Sequence, residues 1–214
     1  MASDTASSAM PEGVPGAFAA GLSEREVQLV RSTYRVMVRQ GSHRLSLQDI
    51  AIDAGVSKGL LLYHFKTKDN LLLATMRWAL ERTAFRIREA IAGSEDAPAA
   101  LSALIDAVFV GAQANRDFHL FYLDLVEHAA RIAAYEELPH LMRTVINRLY
   151  GQVIQRGVDE GVFHVNDIDA AASVMRAQIE GTFLQWMQTD DWQDSHAQAR
   201  DDCHQALLRL MGFR

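Results

Sequence analysis

From Leu22 onward, apolar residues return every three or four positions, and no stretch alternates apolar with polar as a half-buried strand does. Only Pro98 and Pro139 interrupt this part of the chain. The pattern predicts an all-α protein of about nine helices. The first begins after Ser23, which caps the backbone while Glu26, three residues on, reaches back, and Leu22 and Val27 supply a hydrophobic staple. Its stripe is Val27, Val30, Tyr34 and Val38, and Gly41 ends it. The same device recurs at Ser46, with Asp49 reaching back and Leu45 and Ile50 as the staple, so a short second helix is predicted over 47–54. Gly55 and Val56 form a turn, Ser57 caps a short third helix ending near Phe65, and Thr67 caps a long fourth helix over 68–92, stopped by Gly93. Five more are predicted over 97–115, 117–134, 139–160, 168–188 and 193–211, with one break at Asn115-Arg116-Asp117.

Composition adds little until charge is mapped. The chain has 214 residues, 49% of them hydrophobic, and a net charge of −6, enough to bury a core without metals or disulfides. The Ala-, Ser-, Gly- and Pro-rich stretch 1–22 reads as a disordered tail. Cys203 is the single cysteine, which fits a reducing cytoplasm, and no apolar run approaches the length of a membrane span. The charge, however, is uneven: residues 23–68 carry +4, whereas 69–214 carry −8. All three lysines, Lys58, Lys66 and Lys68, fall within that basic module. One end of the molecule is therefore expected to meet a polyanion.

The segment 45–65 reads as a helix-turn-helix, two short capped helices with small residues Ala51 and Gly55 where they cross. The major groove of DNA admits one such helix, and the outer face of the second would carry Lys58, Gly59 and Leu62, with Leu60 and Tyr63 beside them. The run Ile50-Ala51-Ile52-Asp53-Ala54-Gly55-Val56-Ser57-Lys58-Gly59-Leu60-Leu61-Leu62-Tyr63-His64-Phe65-Lys66-Thr67-Lys68-Asp69-Asn70-Leu71-Leu72 resembles the DNA-binding signature of the TetR family of transcriptional regulators, and the match is dense over 23–73. The resemblance implies base contacts at Lys58, Gly59 and Leu60, a phosphate contact at His64 and a backbone contact at Lys68. Here Leu60-Leu61-Leu62 replaces the Thr-Leu-Tyr of many relatives. Leu62 offers only apolar contact, and Tyr63 is its nearest polar substitute. Arg44, Ser46 and Gln48, together with Ser57 and Lys66, complete the expected DNA-binding set.

The acidic region 69–214 is expected to hold a ligand site and a dimer surface. Aromatic and polar side chains at helical spacing nominate Phe109, His119, Tyr122, His128, Arg143, Asn147, Met175, Gln178 and Phe183 for a pocket, since buried polar groups call for a network or a ligand. Gly181, Leu184, Gln185, Gln188, Leu207, Leu210 and Met211 are expected to pair two subunits. Glu137-Leu138-Pro139-His140 has a di-iron spacing but lacks its companion motifs, and Asp124 with His128 is too small a set, so neither metal nor cofactor is expected. No nucleophile–base–acid set or phosphate loop appears, so an enzyme is not expected. The fourth helix is the natural lever from head to body. The resemblance implies a homodimeric, cytoplasmic repressor on double-stranded DNA, released from a palindromic operator by a small-molecule effector. A helical carrier of small molecules or lipids is the alternative.

Overall fold

The structure, a computed structural model, describes residues 21–213, apart from the side chains of residues 134, 137 and 141. Most of the expected tail therefore lies outside the described residues. Among those described, the chain is helical throughout, with no strand. Three helices make a head: α1 (Glu24–Gln40), α2 (Leu47–Ala54) and α3 (Lys58–Phe65). The body follows as α4 (Lys68–Ala92), α5 (Ala97–Val108), α6 (Ala112–Arg131), a 3-10 turn (Ala133–Tyr135), α7 (Glu137–Asp159), α8 (Ile168–Trp186) and α9 (His196–Leu210).

Local chemistry fixes the head. Both capping boxes form: Ser23 and Glu26 bond each other's backbone at α1, and Ser46 and Asp49 do so at α2. Gly55 closes α2 in the left-handed region at φ 62°, a conformation that strains any residue carrying a Cβ. Leu29, Val30, Ile50, Leu61 and Phe65 meet beneath α2 and α3, and Leu71 and Leu72 of α4 join the same continuous core. The buried face of α1 is wider than its expected stripe, because Leu29, Val36 and Met37 are also enclosed, with α1 packed on α2, α4 and α6 at once.

The body departs from the sequence expectation at one joint. The break expected at Asn115-Arg116-Asp117 falls instead at Phe109-Val110-Gly111, where Gly111 has φ 153°. Asn115 lies inside α6, where its amide donates to the Val108 carbonyl and accepts the Gly111 N–H. A polar residue that reads as a helix stop is here the clasp of the preceding turn. Further on, α7 packs on α8 and α4, α8 on α9, and Phe163 of the α7–α8 connection lies over Gly157.

Candidate nucleic-acid interface and effector cavity

The structure sorts the basic residues of the head. Arg35 and Arg39 of α1 both grip Asp53 of α2, at 2.6 and 2.7 Å. Burial would raise the Asp53 carboxyl, but hydrogen bonds and charge from Arg39 and Arg35 outweigh it and hold it below the ordinary carboxylate range. Those two cations serve the joint between helices. Arg44 and Lys58, by contrast, are exposed and pair with no described carboxylate, and Lys68 is half-buried at the start of α4. Around α3 this leaves a cationic, solvent-facing edge.

The α3 residues divide by side. Leu61 and Phe65 face the core; Lys58, Gly59, Leu62 and Tyr63 face solvent, Tyr63 with 70% of its surface free, and Leu60 is half-buried. Ser57 accepts from the Leu60 N–H, so its hydroxyl is already engaged in the cap, as that of Ser46 is with Asp49. Gln48 and Arg44 stand exposed beside the cap of α2. His64 is mostly enclosed and lies 3.5 Å from the Glu26 carboxylate of α1. Lys66 adopts a positive φ of 67°, alone among the described non-glycine residues, while its Nζ donates to the Tyr63 carbonyl and lies 5.5 Å from the Tyr63 ring centre. The bulky turn residue and the exposed aromatic are thus held as one unit.

A cavity opens in the body among α4, α6, α7 and α8, with about 690 Å³ of atom-free space including its mouth. Of the nine residues nominated from sequence, three line it: His119, Tyr122 and Phe183. Phe109 sits one layer back, stacked on Phe183 at 4.3 Å, and Met175 is wholly buried in the core. Gln178 is exposed on α8, and Arg143 is exposed on α7, where it bonds His140. Asn147 bonds Ser173 in a separate open groove between α7 and α8. His128 belongs to the joint with the head, 5.5 Å from the His43 ring. These six corrections share one cause: helical spacing identifies a face, but only packing decides whether that face meets the core, solvent or a void.

Sequence reasoning missed the charged lining. Arg176 of α8 donates to Glu180 at 2.6 Å and to the Tyr122 hydroxyl at 2.8 Å, forming a closed trio. Arg86 of α4 donates through Nε to the Ala107 carbonyl and pairs with no described carboxylate. Burial lowers its pKa, and the nearby Arg82 charge adds to the effect. Both arginines share helical stripes with buried neighbours, Arg86 with Ala79 and Thr83, Arg176 with Ala172 and Ile179, a signal the spacing contained. Burial pushes His119 down to about 4 against the raising effect of its bond to the Asn115 carbonyl, so its ring, tilted against Phe183, is neutral at neutral pH.

Head and body meet along the second half of α6. Asp124 accepts the Ser42 backbone N–H at 2.8 Å, and Glu127 bonds His43 at 2.8 Å. Tyr135 lies against His128 and donates to the Asp69 carbonyl of α4. Cys203 is buried, and burial raises its thiol pKa. No single described helix is long and apolar enough to cross a membrane.

Comparison with known proteins agrees with this division. Residues 29–75 match the family model for bacterial regulatory proteins of the tetR family, and residues 97–212 match the C-terminal model of BetI-type transcriptional repressors. The HTH-type transcriptional repressor KstR2 of Rhodococcus jostii is 28% identical over 151 residues, 70% of this chain and 72% of that protein. The HTH-type transcriptional regulator BetI of Pseudomonas paraeruginosa is 30% identical over 169 residues, 78% and 83% of the two chains. A TetR regulator structure from Haloarcula marismortui aligns with TM-score 0.77 and 25% identity, covering 89% of this chain and 98% of its own. With a helix-turn-helix head, a helical body and both family models matched in order, the chain belongs to the TetR family of transcriptional regulators.

Proposed function

We propose that this regulator acts in the cytoplasm as a homodimer on a palindromic duplex operator, and that a small molecule in the body cavity releases it. Residues 23–68 are then the DNA-binding unit and 69–214 the effector and pairing unit. The observation that carries the reading is the disposition of α3: its apolar side is locked under the head, while Lys58, Gly59, Leu62 and Tyr63 face outward beside Arg44, which pairs with no described carboxylate. Lys58 is the residue for guanine edges, Gly59 admits close backbone approach, and Leu62 is suited to a thymine methyl. Arg44, Gln48, Tyr63 and Lys68 are placed for phosphates. Two such helices must meet successive major grooves about 34 Å apart, hence the dimer.

Pairing through α8 and α9 is supported by the exposed apolar residues Val174, Leu184 and Leu210, with Gly181 open to its surroundings and Gln185 and Gln188 on the same side. Leu207 and Met211, expected in this surface, are fully buried within the subunit and serve its core instead. An effector that favours a body state with misplaced heads would weaken operator binding by about 5- to 150-fold for a coupling of about 1–3 kcal/mol. A regulator from Saccharomonospora viridis, 22% identical, was solved in complex with choline; that degree of likeness concerns the fold alone.

The test is a gel shift on duplex DNA from upstream of the protein's own gene. Lys58→Ala should erode preference for the operator over unrelated DNA, whereas Lys68→Ala should weaken all duplexes alike and reduce the salt slope by about 1. Equal behaviour of the two variants refutes the division of roles, and no shift at low salt refutes the operator.

A further inference from the structure

We propose that the body cavity is selective for an apolar or aromatic carboxylate, with its carboxylate on Arg86 and its body among the aromatic walls. The inference rests on the reading of this cavity as the effector site. Three observations carry it. First, the charges on the wall do not cancel: Arg176 and Glu180 neutralise each other at 2.6 Å, His119 carries no charge at neutral pH, and Arg86 remains without a described carboxylate partner. A mostly buried guanidinium that makes a single hydrogen bond to a described residue, a carbonyl, leaves its terminal N–H groups for a ligand, and a carboxylate matches that fork. Second, Tyr150 lines the cavity with 3% of its surface exposed, and its hydroxyl makes no hydrogen bond to a described residue. Burial raises its pKa, so it is a neutral hydroxyl able to donate to a ligand in the cavity. Third, the remaining lining is Phe118, Tyr122, Phe183 and aliphatic side chains, which suit a ring or an alkyl chain.

The same facts disfavour an organic cation. Aromatic faces attract one, but Glu180, the wall's carboxylate, is already held by both Arg176 and the Tyr122 hydroxyl. A cation entering here would desolvate against Arg86 with no free counter-charge.

Calorimetric titration of the full chain without DNA tests the proposal. The probes are phenylacetate, 4-phenylbutyrate and octanoate, their neutral amides, and phenyltrimethylammonium as an aromatic cation. At least one carboxylate should bind about tenfold or more tightly than its amide, and Arg86→Gln should erase that ratio while leaving the amide's affinity in place. Arg86→Lys should keep part of the ratio, and the exposed Arg143→Gln all of it. If Arg86→Gln fails to fold, the wild-type ratio and Arg86→Lys decide the matter. A ratio near one for every pair, a ratio that survives loss of the Arg86 charge, or tighter binding of the cation overturns the proposal. A gel shift with the same carboxylates is read separately. Binding without operator release sinks the effector role and leaves the ligand class standing, whereas operator release by these probes without any carboxylate preference does the reverse.

Discussion

Head and body use opposite logic for their functional residues. In the head, the side chains suited to contact are those left over once the fold is satisfied: Arg35 and Arg39 are spent on Asp53, and Ser46 and Ser57 on caps, while Lys58, Arg44 and Tyr63 remain outside. In the body, the proposed site consists of groups that the fold encloses, with Arg86, Tyr150 and His119 lining a void among aromatic rings. A surface site of the first kind can be altered without touching stability. A cavity site of the second kind cannot, because each of its members is also a wall.

The largest effect that would sharpen this contrast is at the base of the head. Leu61 is 1% exposed beneath α3, so Leu61→Ala should cost about 2–5 kcal/mol by the cavity it leaves. Thermal unfolding should fall and operator binding with it, whereas Lys58→Ala should lose operator binding at an unchanged melting temperature. If Lys58→Ala melts early, the claim that the head keeps contact and support apart is broken. Next in size is the pH response of the body. The buried His119 has a folded pKa of about 4 against an ordinary 6.5, so the unfolded chain binds the extra proton first and stability falls as pH drops between those values. The loss should reach about 3 kcal/mol by pH 4, and His119→Gln should remove most of it; denaturant melts at pH 7 and pH 4.5 provide the check. The smallest effect is again in the head. Asp53 has a depressed pKa, so its contribution is present above the ordinary carboxylate range and disappears as pH falls below about 4. Its arginine partners are more than half exposed, so Asp53→Asn should cost only about 1 kcal/mol at neutral pH, with little further loss on acidification.

The two regions also differ in how much of them the sequence disclosed, for the same physical reason. Caps, staples and a left-handed glycine act over three or four residues, so α1 to α4 could be bounded almost to the residue from Ser23, Ser46, Gly55, Ser57 and Thr67. The outward side of α3 followed from the inward side of Leu61 and Phe65. The cavity depends on which of several apolar faces of α4, α7 and α8 converge, and that is settled by contacts between residues far apart in the chain. Spacing therefore found His119, Tyr122 and Phe183 but also nominated Gln178, which stands exposed, and Asn147, which lines a separate groove. The arginines were passed over because a lone cation in an apolar stripe reads as a solvated side chain. Asn115 misled for a related reason: its side chain serves backbone groups four and seven residues upstream, which no local rule distinguishes from a helix stop.

Helix α6 belongs to both regions. Its first half supplies Asn115, Phe118, His119 and Tyr122 to the cavity, and its second half holds Ser42 and His43 of the head through Asp124 and Glu127. A helix of 20 residues is about 30 Å long. Pivoted at the occupied end, a tilt of about 5° would carry the far end some 2–3 Å sideways, by the geometry of a rod that length. In a two-fold assembly the displacement would occur on both sides at once, so an adjustment smaller than one atom's width at each cavity would become a misfit of several ångströms between the two reading helices.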